Sequence, residues 1–133
     1  MGGEGLTAGS GVVLDASALL VLLQEEAGAD EVERLLDGAS MSTVNLCEVI
    51  QMSEQHGVDT EGLEVDLEAL GVEFREFDVG MTRLTAELWA EGSGLSLGDR
   101  ACLALARHSR SIAVTADRRW SRARLPADVR SVR

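Results

Sequence analysis

Apolar residues along this chain follow two habits. Short unbroken runs alternate with stretches in which apolar positions recur every three or four residues. "GVVLD" (11–15) is the first unbroken run, and it suits a strand covered on both faces of a parallel sheet. From Ala16 the residues favour helix, with Leu19, Leu22 and Leu23 at helical spacing. "GADEVERLLDG" (28–38) predicts a second helix, with Asp30, Glu31 and Glu33 toward its N-terminus and Gly38 as its stop. "ASMST" (39–43) is a weak, short strand candidate. "VNLCEVIQMSEQHG" (44–57) predicts a strong helix with Val44 or Leu46, Val49, Ile50 and Met52 on its apolar side.

The second half repeats the alternation. "DTEGLEVDLEALG" (59–71) reads as an acidic helix with a stripe of Leu63, Leu67 and Leu70, ended by Gly71. "VEFREFDV" (72–79) reads as a strand. "MTRLTAELWAEG" (81–92) reads as a helix with Leu84, Leu88 and Trp89 inward. A glycine-rich loop, "GSGLSLG" (92–98), leads into a helix over 99–109 with Cys102, Leu103 and Ala106 on its core side. "SIAVTAD" (111–117) is another buried strand, and the last residues suit an edge strand. Strands alternating with helices predict an α/β sandwich around a mostly parallel sheet. Ligands of such sheets bind outside the carboxyl ends of the strands.

At 133 residues the chain is expected to form one domain with a substantial core. Residues 1–10, with no basic patch and no apolar segment, read as a flexible leader, and no signal peptide or membrane span is expected. Cys47 and Cys102 lie within apolar helical patterns and are expected as reduced, buried thiols in a cytoplasmic protein. The net charge is −11, which argues against simple electrostatic attraction to nucleic acid or anionic membrane. The charge is unevenly spread: residues 1–70 hold 15 acids against Arg34 alone, while residues 71–133 hold 8 acids and 11 arginines. There is no lysine and no "GK[ST]" motif. That excludes a P-loop enzyme and counts against phosphoaspartate proteins that need a lysine near the site.

Four acids stand out by position. Asp15 ends the first strand, Glu48 lies in the first two turns of the helix after the second, Asp99 opens a helix, and Asp117 ends the "IAVT" strand. In a parallel sheet all four converge at one edge. Clustered carboxylates repel unless neutralised. Mg²⁺ or Mn²⁺ prefers such oxygen ligands, and a cation so held polarises a phosphoryl oxygen and activates a water. Each acid also has a plainer reading. Asp99 suits a helix N-cap, the commoner role for a single such residue. Asp117 suits a turn, and Glu48 a solvated helix face. Asp15 resists the plain reading, because an acid between two buried runs costs several kcal/mol unless paired or metal-bound. Arg107, His108, Arg110, Arg118, Arg119, Arg122 and Arg124 make a basic cluster around Trp120. The arginines suit either phosphate contact or a solvated or partner-facing surface, and Trp120 is expected to pack in the core. His56 and His108 have no partners at metal-ligand spacing.

"VLDASALLVLL", "STVNLCEV", "LSLGDRACLALA" and "VTADRRW", in that order, resemble the successive motifs of PIN-domain nucleases, specifically VapC-type toxins of toxin–antitoxin pairs. The resemblance covers about residues 11–133. It implies a PIN-like three-layer α/β/α sandwich around four to five strands and Mg²⁺- or Mn²⁺-dependent endoribonuclease activity. It also implies a homodimer and a cognate antitoxin whose C-terminal segment covers the site. Asp15, Glu48, Asp99 and Asp117 become the catalytic and metal-binding cluster, with Ser17, Asn45 and Thr115 in support. Arg100 follows Asp99 where this family often has a small residue. Arg100, Arg118 and Arg119 are candidate RNA contacts. A PIN-like binding module without catalysis and a processing nuclease that is not a toxin are the competing readings.

Overall fold

The computed structural model describes residues 11–122 and 125–133. The expected leader over 1–10 and Arg124 lie outside the described residues, as does the Arg122 side chain. In chain order the elements are β1 (Val12–Leu14), α1 (Ala16–Leu23), α2 (Ala29–Leu35), β2 (Ser40–Ser42), α3 (Thr43–Gln55), α4 (Leu63–Ala69), β3 (Glu73–Arg75), α5 (Val79–Glu87), α6 (Leu97–His108), β4 (Ile112–Thr115), a 3₁₀ turn (Arg118–Arg122) and β5 (Val129–Ser131).

Among the described residues five strands form one sheet in the order β3-β2-β1-β4-β5, and every pairing is parallel. β5 is an edge strand, as the last residues suggested. The chain builds outward from β1 in one direction through β2 and β3, then returns to add β4 and β5 on the other side. The strand order therefore reverses between β1 and β4, which is where open α/β sheets bind ligands.

Successive strand residues face opposite sides, so the sheet divides the core in two. Leu14, Met41 and Val114 pack with Leu19 and Ala18 of α1, Val32 of α2, Val49 of α3 and Leu67 of α4. Val13 and Ala113 point the other way, toward Cys102, Leu103 and Ala106 of α6 and Trp120, with Met81 and Leu88 alongside. This is the expected α/β/α arrangement. The helix starts are set by short polar side chains that accept from otherwise orphan amides. Asp15 accepts from Ala18 at α1, Ser42 from Val44 at α3, and Asp78 from Met81 at α5. Ser96 and Asp99 form a reciprocal capping box at α6. Gly28 enters α2 at φ 102°, and its bare Cα lies against the Val132 carbonyl beyond β5, where a side chain would clash. The C-terminal arginines pair with acids of the first half, Arg130 with Glu31 and Arg133 with Glu26, so part of the charge asymmetry closes across the fold. Among the described residues no helix is long and apolar enough to cross a membrane.

Several expectations need correction. The strand over 72–79 pairs only at Glu73–Arg75, because its partner β2 turns into α3 at Thr43 and Asp78 is spent as a cap. α5 consequently begins at Val79 and ends at Glu87, leaving Trp89 beyond the helix and 63% exposed instead of inward. Leu23, Met52 and Leu70 lie at the edges of their stripes and are exposed. Cys47 is exposed as well, beside Leu46 and Ile50 in an open groove along α3; Cys102 is buried as expected. Trp120 is buried, and His56 and His108 are exposed.

Candidate active site

The site lies at the carboxyl edge of the sheet, over the reversal between β1 and β4. The backbone amide of Asp15 donates to the Val114 carbonyl at 3.0 Å, which fixes the end of β1 beside β4. Asp15 is only 4% exposed. Its Oδ1 accepts from the Ser17 hydroxyl and the Ala18 amide, each at 2.8 Å, and its Oδ2 accepts from the Thr115 hydroxyl at 2.5 Å. Ser17 Oγ and Thr115 Oγ1 stand 3.2 Å apart, yet each has one proton and both protons serve Asp15. Their remaining lone pairs accept from the amides of Ala116 and Asp117. A single web thus runs from the end of β1 to the end of β4 through Ser17 and Thr115.

Burial is the largest influence on Asp15 and pushes its pKa up to about 6, against the lowering effect of Thr115, Ala18 and Ser17; the charge of Asp99 raises it further. Asp99 is therefore an electrostatic neighbour. Cys102, one helical turn along α6, reports the same convergence: burial raises its pKa most, and the charges of Asp15, Asp99 and Glu48 add to it. The thiol stays protonated beneath three carboxylates. Asn45 and Glu48 share one face of α3. Asn45 donates to Glu48 Oε1 at 2.9 Å and to the Gly98 carbonyl at 3.1 Å, tying α3 to the start of α6. Asp99 occupies the third position of α6, not the cap itself: its Oδ2 accepts from the Ser96 amide while its own amide donates to Ser96 Oγ. The capping and site readings of Asp99 are thus compatible.

Asp117 sits at the rim. Arg119 clamps both of its carboxylate oxygens, with Nη2 to Oδ2 at 2.6 Å and Nε to Oδ1 at 3.0 Å, and holds its pKa below the ordinary range. Arg119 also feels the charge of Asp99. Arg118 is exposed on the same 3₁₀ turn. Arg100 turns away from this rim: its guanidinium donates to the Thr85 carbonyl on α5 at 3.3 Å, and its buried Nε has no partner among the described residues. Gly98 and Cys102 were not singled out as site residues in the sequence. Gly98 precedes Asp99, but nothing in the pattern says that Glu48 lies against it.

The donor set suits a hard divalent cation, since Asp15, Glu48, Asp99 and Asp117 offer only oxygen. The buried Asn45 Oδ1, which has no partner among the described residues, is a further neutral acceptor. Among the described residues no three His, Cys, Asp or Glu side chains stand close enough to hold an ion as placed. Each acid instead has a local partner: hydroxyls for Asp15, Asn45 for Glu48, the capping box for Asp99 and Arg119 for Asp117. Asp15, Glu48 and Asp99 are the residues that would hold a cation, with Asp117 completing the rim.

A family model for the PIN domain matches residues 12–125. The chain belongs to the PIN domain family. No curated protein matches this PIN domain in sequence. Solved structures share its fold at low identity. A toxin–antitoxin complex from Klebsiella pneumoniae contains a chain that is 17% identical with a TM-score of 0.72, over 92% of this chain and 98% of that one. A DNA-bound VapBC complex from Salmonella typhimurium aligns with a TM-score of 0.66 at 18% identity, over 92% and 98% of the two chains. VapBC2 from Rickettsia felis, bound to a DNA fragment from the promoter, aligns with a TM-score of 0.68 at 15% identity, over 90% and 97%.

Asp15 makes the stability of the metal-free PIN domain depend on pH. In the unfolded chain it titrates near the ordinary value of about 4, and in the folded chain at about 6. The folded form holds the proton more tightly, so this contribution is full below pH 4 and is lost as pH rises through 6. The loss is about 3 kcal/mol. Urea melts at pH 4.5 and 7.5 should show wild type losing ground to Asp15→Asn across this window. Parallel profiles would contradict the burial account.

Proposed function

We propose that this PIN domain is a divalent-metal-dependent endoribonuclease and the toxin of a toxin–antitoxin pair. The observation that carries the proposal is the Asp15 carboxylate, buried at the strand reversal, raised to about 6 and pressed by Asp99, with Glu48 charged nearby. The cap that Asp15 gives α1 could come from an uncharged Asn or Ser, so the buried charge itself costs stability, and a bound cation gives it a purpose. The family match and the fold shared with toxin–antitoxin complexes support the class of reaction.

When bound, a Mg²⁺ or Mn²⁺ ion supplies the positive charge that polarises a phosphoryl oxygen and acidifies a water. The chain's own residues prepare the rest. Ser17 and Thr115 aim their protons at Asp15 and hold both of its oxygens in place. Asn45 keeps Glu48 against α6. Cys102 fills the floor as an uncharged thiol and adds no competing charge. Arg118, exposed at the rim, and Arg119, whose charge Asp117 balances, are the candidate contacts for an RNA backbone on this otherwise acidic protein. Hydrolysis adds water across the P–O bond and releases the 3′-oxygen. The partners of this reading are RNA, a cognate antitoxin and a second copy of the chain, in the cytoplasm. The open apolar groove along α3 is consistent with a protein-binding surface.

The test is cleavage of an RNA pool by the purified chain with Mg²⁺ or Mn²⁺. Asp99→Ala should reduce the rate by roughly 10²-fold or more, because it removes a carboxylate from the charge-stabilising set. Expression without a partner should arrest growth, and Asp99→Ala should relieve the arrest. Cleavage by the variant at wild-type rate would refute the site, and inert wild type would favour a silent binding module.

A further inference from the structure

Gly98 is buried in the first turn of α6, next to Asp99, and its φ lies outside the left-handed region, so backbone conformation does not require glycine there. Space does. The three nearest atoms a Cβ would meet all belong to the Glu48 carboxylate: Oε1 and Cδ at 2.5 Å, and Oε2 closer still. The Gly98 carbonyl shares the Asn45 amide with that same carboxylate. Asn45 is itself only 1% exposed, so this bridge is fixed by packing. The missing side chain of one helix is filled by the acid of another.

We infer that Gly98 is a positioning residue, whose absent side chain forms the slot that seats the Glu48 carboxylate beside Asp99. The inference rests on the proposed metal site and names the residue that sets its geometry. The obstructed atoms are the far end of a flexible side chain. A methyl at Gly98 therefore displaces the carboxylate at little cost to the fold, and alanine is the better helix former. The substitution separates stability from site geometry: Gly98→Ala should melt at or above the wild-type Tm without metal, yet bind Mn²⁺ at least tenfold more weakly.

The experiment titrates Mn²⁺ alone into the full chain by calorimetry, with Tm measured with and without Mn²⁺, for wild type, Gly98→Ala, Glu48→Ala and the double variant. The expected result is a large loss in Gly98→Ala and no further loss when the methyl is added to Glu48→Ala, since no carboxylate remains to displace. Wild-type affinity in Gly98→Ala overturns the inference and leaves the metal site standing. Equal losses with and without Glu48 overturn it too, because the methyl then acts elsewhere. No Mn²⁺ binding by wild type removes the metal site and this inference with it. Should Gly98→Ala fail to fold, recovery in the double variant supports the slot and failure of both overturns it.

Discussion

Asp15→Asn is expected to abolish metal-dependent RNA cleavage while making the metal-free protein more stable. Both effects have one cause. The carboxylate is nearly excluded from water, and its charge is worth having only when a cation shares it. Its shift to about 6 corresponds to about 3 kcal/mol at neutral pH. Asparagine keeps the size and an acceptor for the Ala18 amide, while Thr115 can turn its hydroxyl to accept from the new amide. Some hydrogen bonding is lost, so the net gain is about 1–2 kcal/mol, or roughly 3–8 °C in Tm. Removing this charge takes several kcal/mol from the transition state, which is roughly 10³-fold in rate. Cleavage assays and thermal melts on the same preparations check both. A variant that is less stable and still active would contradict the account on both counts.

Trp120→Ala is expected to give the largest loss of stability, about 3–5 kcal/mol, or roughly 10–20 °C in Tm. The indole is 3% exposed and packs with Val13, Cys102, Leu103 and Ala113 under the sheet. Residue 120 lies in the 3₁₀ turn that carries Arg118 and Arg119, so burial of the indole also pins that turn against the core. Among the described residues the indole Nε1 has no partner, so Trp120→Phe should forfeit no hydrogen bond and keep most of the stability and RNA affinity. Thermal melts of the two variants test this. An alanine variant that melts like wild type but releases RNA would assign Trp120 to base stacking instead of packing.

The layers and the parallel sheet were legible because continuous runs such as "VVL" and "IAVT" and the helical spacings between them report burial directly. The Asp15 anomaly was legible for the same reason: an acid between two buried runs has no ordinary explanation. Periodicity does not report how far a helix overhangs its sheet. α3 carries apolar residues on more than one flank, so Cys47 and Met52 are exposed while Val49 is buried. α5 stops two residues short of Trp89, and the pattern alone extended it through that residue. Contacts between distant elements were also out of reach. Arg119 returning to Asp117 is local in sequence but depends on the turn after β4. The Gly98–Glu48 contact joins two helices 50 residues apart, and Arg100 reaching Thr85 joins two others. These are tertiary facts, set by how α3, α5 and α6 pack.

The central claim is that Asp15, Glu48 and Asp99, with Asp117 at the rim, hold a divalent cation. Its most direct test is equilibrium titration of Mn²⁺ into metal-free wild type and Asp15→Asn at pH 7.5, with free Mn²⁺ followed by its paramagnetic resonance. The account predicts saturable binding by wild type and its loss in the variant. Absence of saturable binding by wild type, or equal binding by both proteins, would contradict it.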